Sequence, residues 1–198
     1  MKVKQGIKEK RLNQTKKLYK QISSNNENYK EELFKIIKNS KDLKKDITEA
    51  FYSNFTDILS SSLSEIKNLY PNSYNDKEIL DFSELLYHED GLTLEDRIDK
   101  WVTKYDTNND DLELLYHLSL ILETGTKSII AQAQKRKVTT PYVEITSGEC
   151  EECVGTNGEV MLEDEVEFPP YHPGCTCEVI YYEEEDLEPD EIEAREAN

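Results

Sequence analysis

The sequence predicts an α+β fold, with a mainly helical body and a small β-rich module at its C-terminal end. Through the first two thirds of the 198 residues, apolar side chains recur at the spacing of three and four that is typical of amphipathic helices. From about residue 141 the chain instead holds short β-branched runs separated by turns that contain Pro and Gly. All four cysteines lie in this second part. The change of pattern therefore separates a helical region from a β-rich one.

The first apolar pattern runs from Leu33 to Leu69. Its steps of three and four put the apolar residues on one stripe and predict one long helix, or two helices in line. The segment "YPNSYND" (70–76) ends the pattern, because Pro, Asn and Ser favour turns.

Three further helices are predicted before the β-rich part. Short helices are expected at 77–87 and 94–104, and Thr93 with Asp96 predicts an N-cap for the second of them. A longer helix is expected at 112–134, in which Gly125 marks a kink or a close contact.

The β-rich part contains three strand-like fragments and a turn signal. Asn157 and Gly158 are typical of a tight hairpin turn. The last sixteen residues are predicted to form a flexible acidic tail or a surface helix. The strand-like fragments are "YVEIT" (142–146), "EVMLE" (159–163) and "CEVIYY" (177–182).

Charge is distributed very unevenly over the segments that these patterns define. A basic N-terminal helical arm (1–45) holds 14 Lys and Arg against 5 Asp and Glu, and the helical body (46–140) holds 9 against 18. The β module (141–182) and the acidic tail (183–198) together hold 1 against 19. A basic arm can contact DNA or an acidic protein surface, although solvated helix faces explain the charges equally well. The acidic end disfavours DNA binding by the protein as a whole, because phosphate repels it.

Hydropathy argues against a membrane protein. The mean hydropathy is −0.76, and no apolar run approaches the roughly 18 residues that a membrane-spanning helix needs. The N-terminal segment "MKVKQGIKEKRLNQTKK" lacks the apolar core of a secretory signal, so we expect intracellular synthesis.

The cysteines form a pattern that is typical of a metal site. Cys150 and Cys153 form C-x-x-C, and Cys175 and Cys177 form C-x-C, with His172 three residues before Cys175. Two such pairs suit a tetrahedral structural zinc ion, which would make the β module zinc-knuckle-like. Five groups compete for four positions. The spacing favours Cys150, Cys153 and Cys177, and leaves His172 and Cys175 as alternatives for the fourth.

Three other interpretations of this pattern remain open. Two disulfides would fit the even count of cysteines, but no secretory signal points to an oxidising compartment. A redox C-x-x-C is disfavoured, because the neighbouring carboxylates in "GECEECVG" raise the pKa of a thiol. A catalytic zinc ion is conceivable, but the H-x-E motif of the nucleobase deaminases is missing.

The segment "YVEITSGECEECVGTNGEVMLEDEVEFPPYHPGCTCEV" (142–179) resembles the C-terminal end of the minor head, or head-morphogenesis, proteins of tailed bacteriophages (the Mu F-like family). In that family a C-x-x-C and a Gly turn lead into P-P-x-H-P-x-C-x-C. "GLTLEDRI" (91–98) and "ILETGTKSIIAQAQ" (121–134) are also similar to the family. This chain departs from it at Thr176, where the family often has Arg, and at Glu151, where it often has Pro. The resemblance covers about half of the chain.

The resemblance implies a virion component and no enzymatic activity. Such a protein is expected at the portal vertex and in the head interior, and in the host cytoplasm during assembly. Its implied partners are the portal and the major capsid or scaffold protein, with an oligomeric state set by the portal assembly and no membrane. The implied role is head assembly, with DNA packaging or ejection as a further role and DNA contact through the basic arm. The alternatives are a zinc-dependent hydrolase or nuclease, for which only His172 is a local candidate base, and a plain zinc-stabilised interaction module.

Overall fold

A computed structural model describes residues 1–82, 92–147, 153, 155–156, 158–172 and 174–189 of the chain. Its described part confirms the predicted α+β class, with a helical body and one small antiparallel sheet. None of the described helices combines the length and the apolar character that crossing a membrane requires. The helices are α1 (Ile7–Asn39), α2 (Leu43–Leu69), α3 (Leu94–Asn108) and α4 (Asp111–Lys137); the strands are β1 (Tyr142–Thr146), β2 (Met161–Leu162) and β3 (Glu178–Tyr182).

Helices α1 and α2 form an antiparallel pair. The Arg11 guanidinium donates to the carbonyl of Leu69, and the Tyr29 hydroxyl lies 3.1 Å from a carboxylate oxygen of Asp57. Arg11 near the start of α1 thus meets the end of α2, whereas Tyr29, further along α1, meets Asp57, which lies earlier in α2. The expectation of one long helix, or of two in line, is therefore wrong. The apolar stripe continues through a three-residue break that lacks both Gly and Pro, and Asp42 caps α2 by accepting from the amide of Lys45.

Helix α3 begins as predicted. The amide of Asp96 donates to the Thr93 hydroxyl at 3.1 Å, and the amide of Thr93 donates to the Asp96 carboxylate at 2.9 Å, which completes a capping box. The helix expected at 77–87 is not formed at residues 77–81, and residues 83–91 lie outside the described part.

Gly125 allows α4 to pack closely against α2. A Cβ atom at this position would lie 2.5 Å from Cζ of Phe55, which is a fully buried ring. Helix α4 continues unbroken past this point to Lys137. The predicted close contact is confirmed, and the glycine does not end or divide the helix.

The sheet has the order β2-β1-β3, with antiparallel pairing throughout. Strand β3 is also attached to the helices. The amide of Tyr181 donates to the hydroxyl of Tyr70 at 3.1 Å, and the side-chain amide of Gln134 donates to the carbonyl of Val179 at 3.2 Å. The C-terminal module and the helical body consequently share one apolar core.

The segment after β3 is part of this core. Arg11 donates to Glu183 at 3.0 Å and to Asp186 at 2.7 Å, and all three side chains are buried. Leu187 is also buried and forms a β-bridge with Val3. The prediction of a flexible tail or surface helix is therefore wrong for residues 183–188, because these acidic residues meet a buried cation. Residues 190–198 lie outside the described part.

Candidate metal centre

Three of the predicted ligands lie together. The sulfur of Cys153 is 3.1 Å from Nε2 of His172 and 3.7 Å from the sulfur of Cys175. These three ligand atoms all lie within 4.8 Å of one another. The two halves of the sequence motif, nineteen residues and more apart, thus converge on one point.

Cys177 joins this group through Cys175. Its side chain is fully buried, and its thiol hydrogen-bonds that of Cys175. Cys153 and Cys175 are also buried, with 5% and 1% of their surfaces exposed, and none of these three described cysteines forms a disulfide. Cys150, the remaining predicted ligand, lies outside the described residues.

The structure does not make His172 and Cys175 competitors for one ligand position. The sequence makes these two groups competitors for one position. In the structure both lie beside Cys153, so the geometry allows them to act together. Described residues therefore supply three donors within 4.8 Å of one another, Cys153, His172 and Cys175, and Cys177 is a fourth candidate through its contact with Cys175.

The end of β1 positions Cys153, which is the described end of the C-x-x-C arm (150–153). The amide of Thr156 donates to the carbonyl of Ile145 at 3.0 Å, and its hydroxyl accepts from the amide of Ile145 at 3.1 Å. Gly155 has a φ of +54°, and a Cβ there would lie 2.6 Å from the same carbonyl. Only glycine fits so close to the strand in this conformation. Cys153 therefore lies next to a fixed point on the sheet.

Helix α4 positions the C-x-C arm (172–177). The amide of Cys175 donates to the carbonyl of His172 at 3.1 Å, and Gly174 has the φ of +77° that this turn requires. Thr124 accepts from the amide of Gly174 at 3.3 Å, and the Lys127 ammonium donates to the carbonyl of Cys175. The motif analysis missed Thr124 and Lys127. Their spacing of three along α4, which puts both on one helix face, is the only sequence signal for them.

The surroundings favour the thiolate form of Cys175. Burial raises its pKa, but backbone hydrogen bonds from Tyr171 and Cys177 and the thiol of Cys153 outweigh that effect, and the net pKa is below the usual value. The pKa of Tyr171 is raised, by burial first and then by the nearby sulfurs. Thiolates are the form in which cysteine binds metal ions.

A cleft of about 440 Å³ opens beside the cluster. Its lining includes Cys153, Ile145, Glu165, Glu167 and Tyr171. Cys175 and Cys177 do not line it. Of the described cysteines, Cys153 is therefore the one that borders the cleft.

The donors fit zinc in their chemistry as well as in their placement. Thiolates and a neutral imidazole are the ligands that structural zinc sites use, and hard cations such as Mg²⁺ prefer oxygen. The cluster is thus a Cys/His group of metal-binding geometry that is compatible with zinc. Comparison with protein-family models, with curated proteins and with solved structures finds no match to this chain.

Proposed function

We propose that Cys153, His172, Cys175 and Cys177 hold a structural zinc ion that fixes the C-terminal module on the helical body. The observation that carries the proposal is the convergence of three ligand atoms within 4.8 Å from two separate arms. A zinc ion would supply cross-linking of these arms and would stabilise the thiolate forms. Structural zinc sites contribute about 10–16 kcal/mol of apparent binding free energy in small peptides, which is large beside the stability of a typical domain.

The position of the cluster supports a structural role. Its C-x-C arm leads directly into β3, which pairs with β1 and contacts Tyr70 and Gln134 in the helical core. Lys127 and Thr124 attach the same arm to α4. A metal ion at this point would join the sheet to the helices, which is what a structural site requires.

For the biological role, we propose a minor head protein of a tailed bacteriophage that acts in head assembly at the portal vertex. The support is the resemblance of residues 142–179 to the Mu F-like family, since three Cys and His positions of that motif, Cys153, His172 and Cys175, lie together in the structure. The proposed partners are the portal and the major capsid or scaffold protein. The helical body would supply the docking surface.

The basic region of α1 belongs to this proposal as a surface for DNA. Lys10, Lys17 and Lys20 are exposed, and no acidic residue occurs between positions 10 and 26. The opposite face of α1 is buried, with Leu18 and Ile22 in the core. The helix therefore cannot detach as an arm without unfolding the body, and contact with DNA would use its outer face in place.

Zinc binding is tested by measuring the metal content of the full chain after reconstitution with zinc and desalting. We expect one zinc per chain, and a fall in melting temperature when a chelator removes it. Cys175→Ser should bind less zinc, while Thr176→Ser, a matched change between two ligands, should bind as much as the original chain. A chain without zinc would contradict the proposal. A bound zinc with an exchangeable coordination position would favour the hydrolase alternative.

The role in the head is tested by co-expression with portal, major capsid and scaffold proteins of a tailed bacteriophage. We expect the chain to sediment with portal assemblies. A variant with Lys10, Lys17 and Lys20 changed to Glu should still sediment with them but should lose any salt-sensitive binding to duplex DNA. If the chain sediments alone, the proposed role as a head protein is wrong, and the interpretation as a plain zinc-stabilised interaction module is kept.

A further inference from the structure

We propose that the same cluster, when free of metal, is a site of oxidation by peroxides, with Cys153 as the reacting thiol and Cys175 as the thiol that completes a disulfide. The inference shares its residues with the proposed zinc site, but oxidation of the metal-free protein does not require that zinc binds. Only the protection by zinc, described below, rests on the proposed function.

Access and placement distinguish the two thiols. Cys153 lines the cleft of about 440 Å³, so a small oxidant in the solvent can reach its sulfur. Cys175 is 1% exposed and does not line the cleft, yet its sulfur is 3.7 Å from that of Cys153. Reaction with the solvent therefore begins at Cys153, and Cys175 lies where the second step needs it.

His172 provides the group that receives the proton. Its Nε2 lies 3.1 Å from the sulfur of Cys153, close enough for the imidazole to accept the thiol proton as the sulfur attacks. Glu165 and Glu167 also line the cleft, and neither belongs to the group of ligand atoms that lie within 4.8 Å of one another among the described residues. The proposed disulfide is not that of a redox C-x-x-C, because it joins Cys153 to Cys175 across the two arms.

The reaction balances with hydrogen peroxide as the oxidant. The Cys153 sulfur attacks one peroxide oxygen, the O–O bond breaks, and a sulfenic acid and one water form. The Cys175 sulfur then attacks the sulfenic sulfur, the S–O bond breaks, and a second water leaves. Two thiols are oxidised to one disulfide, and one peroxide is reduced to two waters.

Oxidation and metal binding exclude each other at this site. A disulfide between Cys153 and Cys175 removes two thiolates from the four proposed ligands. Lys127 and Thr124 hold the C-x-C arm on α4 independently of the metal, so the two sulfurs stay near each other when zinc is absent. Bound zinc should in turn protect Cys153, because a coordinated thiolate is a weaker nucleophile.

The test is treatment of the metal-stripped full chain with hydrogen peroxide, followed by peptide mapping by mass spectrometry. We expect a loss of two hydrogen atoms and of two free thiols per chain, with the disulfide between Cys153 and Cys175. Cys175→Ser should instead accumulate a sulfenic acid on Cys153 that dimedone captures. Thr176→Ser, the matched control in the same arm, should still form the disulfide.

Three outcomes would overturn the inference: no disulfide, a disulfide between Cys150 and Cys153, or a sulfenic acid on Cys175. Zinc content is measured separately, so the two proposals fail in distinguishable ways. A chain that binds zinc but does not form the Cys153–Cys175 disulfide loses only the oxidation site. A chain that forms the disulfide but binds no zinc loses only the metal centre.

Discussion

Replacement of Arg11 by methionine should destabilise the protein, because it removes the cation from a buried cluster of three charged side chains. Arg11 is 8% exposed and donates to the carboxylates of Glu183 and Asp186, which are 3% and 5% exposed. Burial lowers the pKa of Arg11, but the paired carboxylates outweigh it, and the net pKa is raised. The cation is thus fully charged, and Arg11→Met leaves two buried carboxylates without it.

The expected cost follows from these contacts. Removal of one partner from a buried ion pair costs about 3–5 kcal/mol. Glu183 keeps two backbone donors, the amides of Asn72 and Ser73 at 3.0 Å each, and Asp186 keeps the amide of Glu183 at 2.9 Å. These contacts stabilise the carboxylates, so we expect the free energy of unfolding to fall by about 3 kcal/mol. For a chain of this size, that corresponds to a fall of about 6–12 °C in melting temperature.

Urea denaturation of the full chain measures this difference. Arg11→Met combined with Glu183→Gln and Asp186→Asn should recover stability, since the unpaired charges are then gone. A single variant within about 0.5 kcal/mol of the original chain would refute the reasoning.

Two further predictions concern the helices. Gly125→Ala places a Cβ 2.5 Å from the Phe55 ring and should lower the free energy of unfolding by about 1–3 kcal/mol, as measured by urea denaturation. The same change should lower it less in a Phe55→Leu background, and equal losses in both backgrounds would contradict the close contact. His117 stacks on Trp101 with ring centroids 3.3 Å apart, and its pKa is lowered by burial and then by Lys104. Fluorescence of this single tryptophan should titrate with a midpoint below about pH 6.5, and Lys104→Gln should raise the midpoint. Because the unfolded chain takes up this proton at higher pH, the contribution of His117 to stability is present above about pH 6.5 and is lost as the pH falls.

Local signals in the sequence predict the elements whose causes are local. The capping box of Thr93 and Asp96 marks the start of α3, and β-branched runs mark β1 and β3. The break between α1 and α2 has no glycine or proline, and its only signal is the capping Asp42. Helical periodicity cannot show that the second helix turns back, because the apolar stripe continues on both sides of the break.

Contacts between distant parts of the chain explain what the sequence does not predict. Residues 183–188 are acidic enough to suggest a solvated tail, yet they pair with Arg11, more than 170 positions away. The one available signal is that Arg11 lies seven residues before Leu18, on the buried face of α1. In the candidate metal centre the donors were predictable from spacing, whereas the support from Lys127 on α4 was not.

X-ray absorption spectroscopy at the zinc edge, on the full chain reconstituted with zinc, tests the central claim most directly. We predict a first shell of three sulfurs at about 2.3 Å and one nitrogen at about 2.0–2.1 Å. His172→Ala should remove the nitrogen shell of the imidazole and leave the sulfurs. A first shell of oxygen and nitrogen only, or a spectrum that His172→Ala leaves unchanged, would contradict the metal centre proposed for these residues.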